Sequence, residues 1–188
     1  EEKEALEKWK RENKDSEIIL KESSNRGTLM HGYLSEMLMG KMNGELIEEV
    51  NLPKKMAETI ITHGLNDCVK EVYASEECVY SLKYKYAGTM DALISTQENK
   101  LQICDFKQKN SPAKREYSSI RNYFTQCILY AIAHNEIHGT KIQSSVILMC
   151  TPNLIFQKFE IEGQEFMDLQ KEALERVEHY HQLISKSI

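Results

Sequence analysis

Three charged side chains, those of Asp91, Asp105 and Lys107, occur in a segment that otherwise has the pattern of a buried β-hairpin. The apolar runs Ala92–Ile94 and Leu101–Ile103 are joined by a polar turn, which predicts two antiparallel strands. Because side chains alternate along a strand, Asp105 and Lys107 share one face with the apolar run before them. A carboxylate in such a position is costly unless it is paired or binds a metal ion.

Both aspartates can meet at one end of this hairpin, because Asp91 opens the predicted strand that pairs with the strand of Asp105. An ion pair with Lys107 is the simpler explanation, and the pattern leaves that alternative open. The more specific interpretation is a site for Mg²⁺ or Mn²⁺, to which the main-chain carbonyl of Phe106 adds another hard oxygen ligand. A lysine beside such a cation has a lowered pKa and can position or deprotonate a water molecule. A metal ion that binds the phosphate, together with a lysine that positions or deprotonates the attacking water, indicates phosphodiester hydrolysis.

The composition limits the class of protein. The chain has 188 residues, of which 41% are hydrophobic and 28% charged, which is enough for one domain with a core and argues against disorder. A net charge of −5 disfavours a sequence-reading DNA-binding module but is compatible with a nuclease whose basic groups are local. No apolar run approaches the ~20 residues of a membrane span, and we recognise no signal peptide. Because the chain starts at Glu1, we expect upstream sequence to be missing.

The five cysteines are odd in number, widely spaced and without a CxxC pair. This pattern is typical of free thiols in a reducing compartment and disfavours a disulfide framework, a zinc ribbon or an iron–sulfur cluster. We therefore expect an intracellular protein that is not secreted, located in the cytoplasm of a bacterium or phage-infected cell or in the mitochondrial matrix.

The order of predicted elements indicates an α/β fold, with a mixed β-sheet flanked by helices. Thr28 is a good N-cap, so we expect a helix from about residue 28 to 41. The remaining elements follow from apolar periodicity and from turn residues. They are helices over 1–14, 53–74, 117–137 and from 163 onward, and strands over 78–88, 92–96, 100–107, 144–150 and 154–161.

Two further pairs of residues could belong to the same site. Gly27 and His31 lie on the predicted helix before the sheet, where a lone histidine is more often an ordinary surface or core residue. Gln126 and Tyr130 lie four residues apart on the helix after the sheet strands and so share a helix face. Their ordinary interpretation is packing in the core.

The chain resembles the PD-(D/E)xK nuclease superfamily, in its RecB-like branch. The resemblance rests on four elements that occur in family order, namely Gly27-x-x-x-His31, Gly88-x-x-Asp91, Asp105-x-Lys107 and Gln126-x-x-x-Tyr130. Within that branch it is most similar to the mitochondrial genome-maintenance exonucleases and related phage exonucleases. Two departures are Met90 where the superfamily name has proline, and the absence of the cysteine set of iron–sulfur members.

The resemblance implies a restriction-endonuclease-like core and assigns roles to the motif residues. Asp91, Asp105 and His31 would be metal ligands, and Lys107 would act on the water. Glu76 matches a family acidic position at the start of the first strand and could serve a second metal, with Glu77 as the competing assignment. The residues Gln126 and Tyr130 would bond near the active site or to the nucleic-acid backbone, or, in the case of Tyr130, pack behind the lysine.

A basic stretch follows the Asp-x-Lys strand and is the best candidate for phosphate binding in an acidic protein. Aromatic residues interleave with it and could stack on unpaired bases, although packing against the sheet and an ordinary solvated loop are the alternatives. The candidate residues are Lys109, Lys114, Arg115, Arg121, Tyr117 and Tyr123.

His134 and His138 have a zinc-compatible spacing, but the sequence offers no third ligand, so we do not expect zinc there. A helix end, where the dipole is negative, explains two histidines well.

The resulting hypothesis is a single nuclease domain over 1–188, with a helical part (1–75) carrying His31, a sheet with the active site (76–162) and a C-terminal helix (163–188). It would be a Mg²⁺- or Mn²⁺-dependent DNA exonuclease without an iron–sulfur cluster, trimming single-stranded ends in replication, recombination or repair. The alternatives are a structure-specific flap endonuclease and a non-catalytic nucleic-acid-binding protein. We expect no membrane partner, and a monomer is compatible with the sequence.

Overall fold

The computed structural model describes residues 14–40, 51–66 and 68–186, so that the helix predicted for residues 1–14 lies almost wholly outside the described part. The elements are, in order, α1 (Lys14–Leu38), α2 (Leu52–Ile60) with a π-helical turn (Ile61–Leu65), β1 (Val69–Ser81), β2 (Tyr86–Thr96), β3 (Leu101–Gln108), α3 (Ser118–His138), β4 (Ser144–Cys150), β5 (Phe156–Glu162) and α4 (Gly163–Ser185).

The described strands form one five-stranded mixed sheet in the order β1-β2-β3-β4-β5. Neighbouring strands are antiparallel except β3 and β4, which run parallel with Ile103 paired to Ser145 and Gln108 to Cys150. A parallel pair needs a crossover connection, and α3 supplies it. The predicted α/β fold with a mixed sheet flanked by helices is confirmed.

Each face of the sheet is covered by a different pair of helices. On one face, Phe124 and Ile128 of α3 and Phe166 of α4 pack with Ile103. On the other, α1 and α2 pack with Phe106 and its neighbours, with Met30 as the α1 contact. Both faces of β3 and β4 are therefore covered, which is why these strands are buried along almost their whole length.

The helix that carries His31 starts earlier than predicted. It begins at Lys14 and not near Thr28, and it ends at Leu38. The Thr28 hydroxyl, expected to be an N-cap, instead donates to the carbonyl of Ser24 within the helix, as serine and threonine do in helix interiors. The N-cap prediction was wrong because nothing in the residues before Thr28 interrupts a helix.

The next helix, predicted over 53–74, ends earlier than predicted. After α2 and the π-helical turn the chain enters β1, so Val69 lies on a strand and not on an inward helix face. Gly64 allows the π-helical turn to approach the sheet, because a Cβ there would lie 2.8 Å from Cδ1 of Leu148. The sequence keeps a helical periodicity beyond residue 65, and this periodicity gave the prediction. The helix ends earlier because Gly64 packs closely against Leu148 of the sheet.

The strand predicted over 78–88 is two strands. β1 ends at Ser81 and β2 begins at Tyr86, with a turn between them in which Lys85 has φ 55°. The Glu136 carboxylate of α3 accepts hydrogen bonds from the Ser81 hydroxyl at 2.5 Å and from the main-chain N–H of Leu82 at 3.0 Å. The acceptor of these hydrogen bonds, Glu136, is distant in sequence from the turn. The residues of the turn alone therefore did not predict it. Among the described residues, no helix is apolar over a length that would cross a bilayer.

Candidate metal centre and active site

Glu76 breaks the regular alternation of β1. Its φ is 52°, in the left-handed region, which costs a residue with a Cβ about 1–2 kcal/mol. Ala74 and Val79 both pack on the α3 side of the sheet although they are five residues apart, an odd spacing that places side chains on opposite faces of a regular strand. The strand therefore changes the facing of its side chains at Glu76, and non-glycine residues in this conformation cluster at functional sites.

β2 changes facing at the residue opposite Glu76. Met90 and Leu93 both pack on the α3 side although they are three residues apart, so the change lies between them, at Asp91 and its neighbour. The ladder between β2 and β3 reaches Ala92, and beyond it the Asp91 carboxylate accepts the main-chain N–H of Phe106 at 2.7 Å. Asp91 thus lies in the middle of a strand, not at its start as predicted, and its side chain takes a place in the backbone hydrogen bonding of the sheet.

His31, Glu76 and Asp91 meet at this irregularity. The ligand atoms of the three side chains lie within 4.8 Å of one another. Nδ1 of His31 is 3.5 Å from Oδ1 of Asp91 and 3.8 Å from Oε1 of Glu76. An imidazole from α1 and two carboxylates from adjacent strands thus form a group that can hold a divalent cation, which we call the metal cluster. The competing residue Glu77 is not in it.

The electrostatics of the metal cluster are dominated by Asp91. Burial alone would lower the pKa of His31, but the hydrogen bond and negative charge of Asp91 outweigh it and raise that pKa. Burial alone would raise the pKa of Asp91, but His31 and then Lys107 lower it. The pKa of Glu76 is raised, first by burial and then by the charge of Asp91. Two carboxylates that repel each other in this way favour a bound cation.

Asp105 and Lys107 form a buried ion pair on β3. Nζ of Lys107 lies 2.6 Å from Oδ1 of Asp105, whose residue is 1% exposed. Burial raises the pKa of Asp105 to about 7 against the opposing effect of Lys107. The pKa of Lys107 is itself raised, because the attraction of Asp105 outweighs burial. This direction is the opposite of the lowered pKa expected for Lys107 beside a cation, because its nearest charged partner is the Asp105 carboxylate.

The second carboxylate oxygen of Asp105, Oδ2, is buried and has no hydrogen-bond partner among the described residues. An unsatisfied buried carboxylate oxygen is costly, and a coordinated cation removes that cost. The residues of the site therefore fit a hard divalent ion, since the buried Asp105 carboxylate lies close to the oxygen and nitrogen ligands of the metal cluster. Asp105 is not part of the three-residue cluster itself. The Phe106 carbonyl stays a predicted ligand.

Helix α3 places Gln126 and Tyr130 together. Nε2 of Gln126 donates to the Tyr130 hydroxyl at 2.7 Å, and burial is the main cause of the raised pKa of that tyrosine, with the charges of Asp105 and Asp91 adding to it. A Cβ at Gly88 would lie 2.6 Å from Cε1 of Tyr130, so the glycine of the predicted motif makes room for the tyrosine ring.

Lys107 extends toward the same helix. Its ammonium lies 5.0 Å from the centroid of the Tyr123 ring, which is within the range of a cation–π contact. Tyr123 was predicted to stack on bases, and in the structure it covers the lysine.

The residues of the predicted phosphate-binding patch differ in what they contact. Arg115 donates to Glu165 at 2.7 Å, and Arg121 pairs with Glu172, so both arginines are neutralised by α4. Lys109 donates to the Ser119 hydroxyl at 2.8 Å and lies 6.0 Å from the Tyr117 ring centroid. Lys114 is exposed. The two arginines are therefore paired with carboxylates of α4, whereas the contacts given for Lys109 are with neutral side chains.

Sequence reasoning missed the contacts that dock α1 onto β3. Gln108, which ends β3, donates to the Ser23 hydroxyl at 2.6 Å and accepts from Nε of Arg26 at 3.1 Å. These bonds connect the helix of His31 to the strand of Asp105 and Lys107. The sequence shows a glutamine, Gln108, directly after the Asp-x-Lys motif, but it does not show which residues this glutamine contacts.

A cleft of about 770 Å³ opens onto the metal cluster along α1. Small residues form the helix side of this cleft, and the strand side includes Glu76. The lining residues are Gly27, Thr28, His31, Gly32, Ser35, Glu36 and Glu76. A Cβ at Gly32 would meet no atom within 4 Å, so this glycine faces open space.

Two solved structures resemble this chain in fold. A crystal structure from Eubacterium rectale, named "Putative exonuclease", has a TM-score of 0.57 and 17% sequence identity, and the match covers 86% of this chain and 66% of that one. The chain thus shares the fold of that protein and spans 66% of its length. A structure named SSO0001 matches at a TM-score of 0.44 and 17% identity over 92% of this chain and 69% of that one, too distant to support an argument. No family model and no curated protein match the sequence.

Proposed function

We propose that this chain is a divalent-metal-dependent nuclease that hydrolyses phosphodiester bonds of DNA. The observation that carries the proposal is the buried Oδ2 of Asp105, which has no hydrogen-bond partner in the described part of the chain, while Nζ of Lys107 lies 2.6 Å from Oδ1 of the same carboxylate. Next to it, His31, Glu76 and Asp91 supply three more ligand groups. A structural ion pair would not need an orphaned oxygen beside a second group of ligands, so a metal site is the better explanation.

The ligands of the metal would be His31, Asp91 and Asp105, with Glu76 available for a second ion. A bound Mg²⁺ or Mn²⁺ supplies polarisation of the phosphate and neutralises its negative charge. The chain's own part is to hold Lys107 where it can position a water, oriented by Asp105 on one side and by the Tyr123 ring on the other.

The substrate and the mode of cleavage rest on the sequence resemblance. The RecB-like motifs support an exonuclease that trims single-stranded ends in replication, recombination or repair, in a bacterial, phage or organellar setting. The open cleft along α1 supports this proposal, since it offers a path to the metal cluster for an extended strand. Cleavage of flaps by an endonuclease of the same fold is the alternative, and the use of a circular substrate separates the two.

Digestion of single-stranded DNA labelled at the 5′ or the 3′ end tests the proposal. Linear and circular strands are incubated with Mg²⁺, with Mn²⁺ and with EDTA. We expect metal-dependent loss of linear strands, with circles spared, and the label released first shows the polarity. Cut circles would support the endonuclease, and no cleavage of any strand would contradict the proposed function.

Two lysine variants show whether cleavage comes from this site. Lys107→Ala should be folded and inactive, because the water is no longer positioned. Lys141→Ala is the matched control, since Lys141 is exposed and precedes β4 at the end of the sheet away from Lys107. A folded Lys107→Ala protein with full activity would refute the assigned role of the lysine.

A further inference from the structure

Two histidines and a glutamate come together on the α3 side of the sheet, away from the metal cluster. The ring centroids of His134 and His138, one turn apart on α3, are 4.4 Å apart. Nε2 of His138 lies 4.0 Å from Oε1 of Glu77 on β1. All three side chains line a cleft of about 510 Å³. The sequence had offered no third ligand for the histidine pair, and the fold places Glu77 beside it.

The hydrogen bonds around His134 determine which of its ring nitrogens carries the proton. The Asn135 side chain accepts the Ile142 N–H at 2.8 Å and donates to the Ile142 carbonyl at 3.1 Å, which fixes the orientation of the amide. The oxygen of that amide therefore takes the single proton of the Thr140 hydroxyl, at 2.7 Å.

Thr140 must then accept a hydrogen bond from the histidine. Its hydroxyl oxygen lies 2.8 Å from Nδ1 of His134, and since its own proton is already used, Nδ1 is the donor. In the neutral ring the lone pair is consequently on Nε2. A metal-binding histidine usually donates its other ring N–H to a fixed acceptor, and Thr140 is such an acceptor here.

His134 is also held in its neutral form. Burial lowers its pKa, and the positive charge that His138 can carry lowers it further. The residue is 6% exposed, whereas His138 and Glu77 are about two-fifths exposed and free to rotate. One ligand is thus preorganised, and two mobile ligands lie within reach of it.

We propose that His134, His138 and Glu77 form a second metal site, which binds Zn²⁺ or a similar borderline divalent ion. Two imidazoles and one carboxylate are a typical zinc ligand set, whereas Mg²⁺ prefers oxygen ligands alone. Closing the site would involve rotation of the exposed His138 and Glu77 side chains. This proposal is independent of the proposed function.

Zinc at this site would connect the end of α3 to β1 at the residue next to Glu76. Glu77 contacts His138 on the α3 side, and Glu76 contacts His31 on the α1 side, so the two sites lie on opposite faces of one strand. Binding to the folded state alone raises its stability with zinc concentration. We therefore expect Zn²⁺ to raise the melting temperature through this site.

A zinc titration in a His31→Ala background tests the proposal, because loss of His31 weakens the metal cluster and leaves the second site intact. Metal-free protein competes for Zn²⁺ with a chromophoric chelator, and melting is followed in parallel. We expect one equivalent of Zn²⁺ to bind. Adding His138→Ala or the isosteric Glu77→Gln should weaken binding at least about tenfold, a free-energy loss of about 1.4 kcal/mol or more.

Two further variants separate a built site from surface chelation. Thr140→Val should weaken zinc binding about 10- to 100-fold, because the His134 ring loses its fixed acceptor. His179→Ala, which removes an exposed histidine of α4, should leave binding unchanged. The proposal is overturned if the His31→Ala protein binds no zinc at micromolar concentration, or if His138→Ala and His179→Ala weaken binding equally.

Discussion

Replacement of Asp105 by asparagine removes a charge that the fold buries without fully satisfying it. Within residues 14–40, 51–66 and 68–186, only Oδ1 of this carboxylate is paired, with Lys107 at 2.6 Å, while Oδ2 is buried and has no hydrogen-bond partner. Asparagine has nearly the same size and does not titrate. We expect Asp105→Asn to abolish cleavage and, in metal-free protein, to remove a large pH-dependent cost.

The magnitude follows from the pKa of Asp105, which burial raises from its ordinary value of 3.8 to about 7. Between these values the folded state holds a proton that the unfolded state has released, so the free energy of unfolding falls as the pH rises. One pH unit corresponds to about 1.36 kcal/mol, and the interval of about three units therefore corresponds to about 4 kcal/mol. The stability that protonated Asp105 provides is fully present below pH 3.8 and lost above pH 7.

Urea unfolding in EDTA at pH 4 and pH 8 measures this effect for both proteins. The quantity of interest is the difference in free energy of unfolding between Asp105→Asn and the unchanged protein. It should shift in favour of the variant by about 4 kcal/mol from pH 4 to pH 8. Any constant effect of the substitution, such as a weaker bond to Lys107, cancels in this comparison. Glu98→Gln, which makes the same carboxylate-to-amide kind of change at an exposed turn residue, is the matched control.

A difference that stays constant between the two pH values would refute the reasoning, because it would mean that Asp105 titrates alike in the folded and unfolded chains. Addition of Mn²⁺ at pH 8 extends the test. The ion should stabilise the unchanged protein more than the variant, since a bound cation satisfies the orphaned oxygen.

Substitutions at three other positions give independent checks. Gly88→Ala should destabilise the fold by about 1–3 kcal/mol in urea unfolding, because the new Cβ would lie 2.6 Å from the Tyr130 ring, and an unchanged midpoint would contradict that packing. Gly32→Ala should stabilise α1 by up to about 1 kcal/mol, whereas Gly32→Leu should narrow the cleft and weaken binding of single-stranded DNA measured in Ca²⁺. If Gly32→Leu binds as well as Gly32→Ala, the strand does not use the cleft. Glu136→Gln should lower the melting temperature at neutral pH, because hydrogen bonds from Ser81 and the following turn lower the pKa of Glu136. That contribution is present above the ordinary pKa of a glutamate and is lost as the pH falls through the lowered value, so the two melting curves should converge in acid.

The sheet and its helices were predictable where the pattern is local. The strands β3 and β4 and the helix α3 were expected within a few residues of their observed ends. The early start of α1 and the early end of α2 were not predicted. The end of α2 depends on a residue elsewhere in the chain, because Gly64 of the turn after it packs against Leu148. Tertiary contacts, not propensities, set those boundaries.

The candidate site was predictable in its residues but not in its arrangement. The motif named Asp91, Asp105, Lys107 and His31, and the structure places them on β2, β3 and α1 around one irregularity of the sheet. What the residues could not show is the left-handed backbone at Glu76, since glutamate has no preference for it. The pairing of Arg115 with α4 was equally hidden, because it joins positions 50 apart in the chain.

The left-handed conformation of Glu76 also affects which substitutions can accumulate at this position during evolution. Glycine at that position would recover about 1–2 kcal/mol, because it adopts positive φ without a steric penalty, and asparagine would recover part of it. A descendant that no longer needed the carboxylate could therefore become more stable by a single substitution there. In any set of relatives, glycine or asparagine at this position would mark the chains that no longer use the Glu76 carboxylate proposed here for a second ion, even where the Asp-x-Lys motif survives.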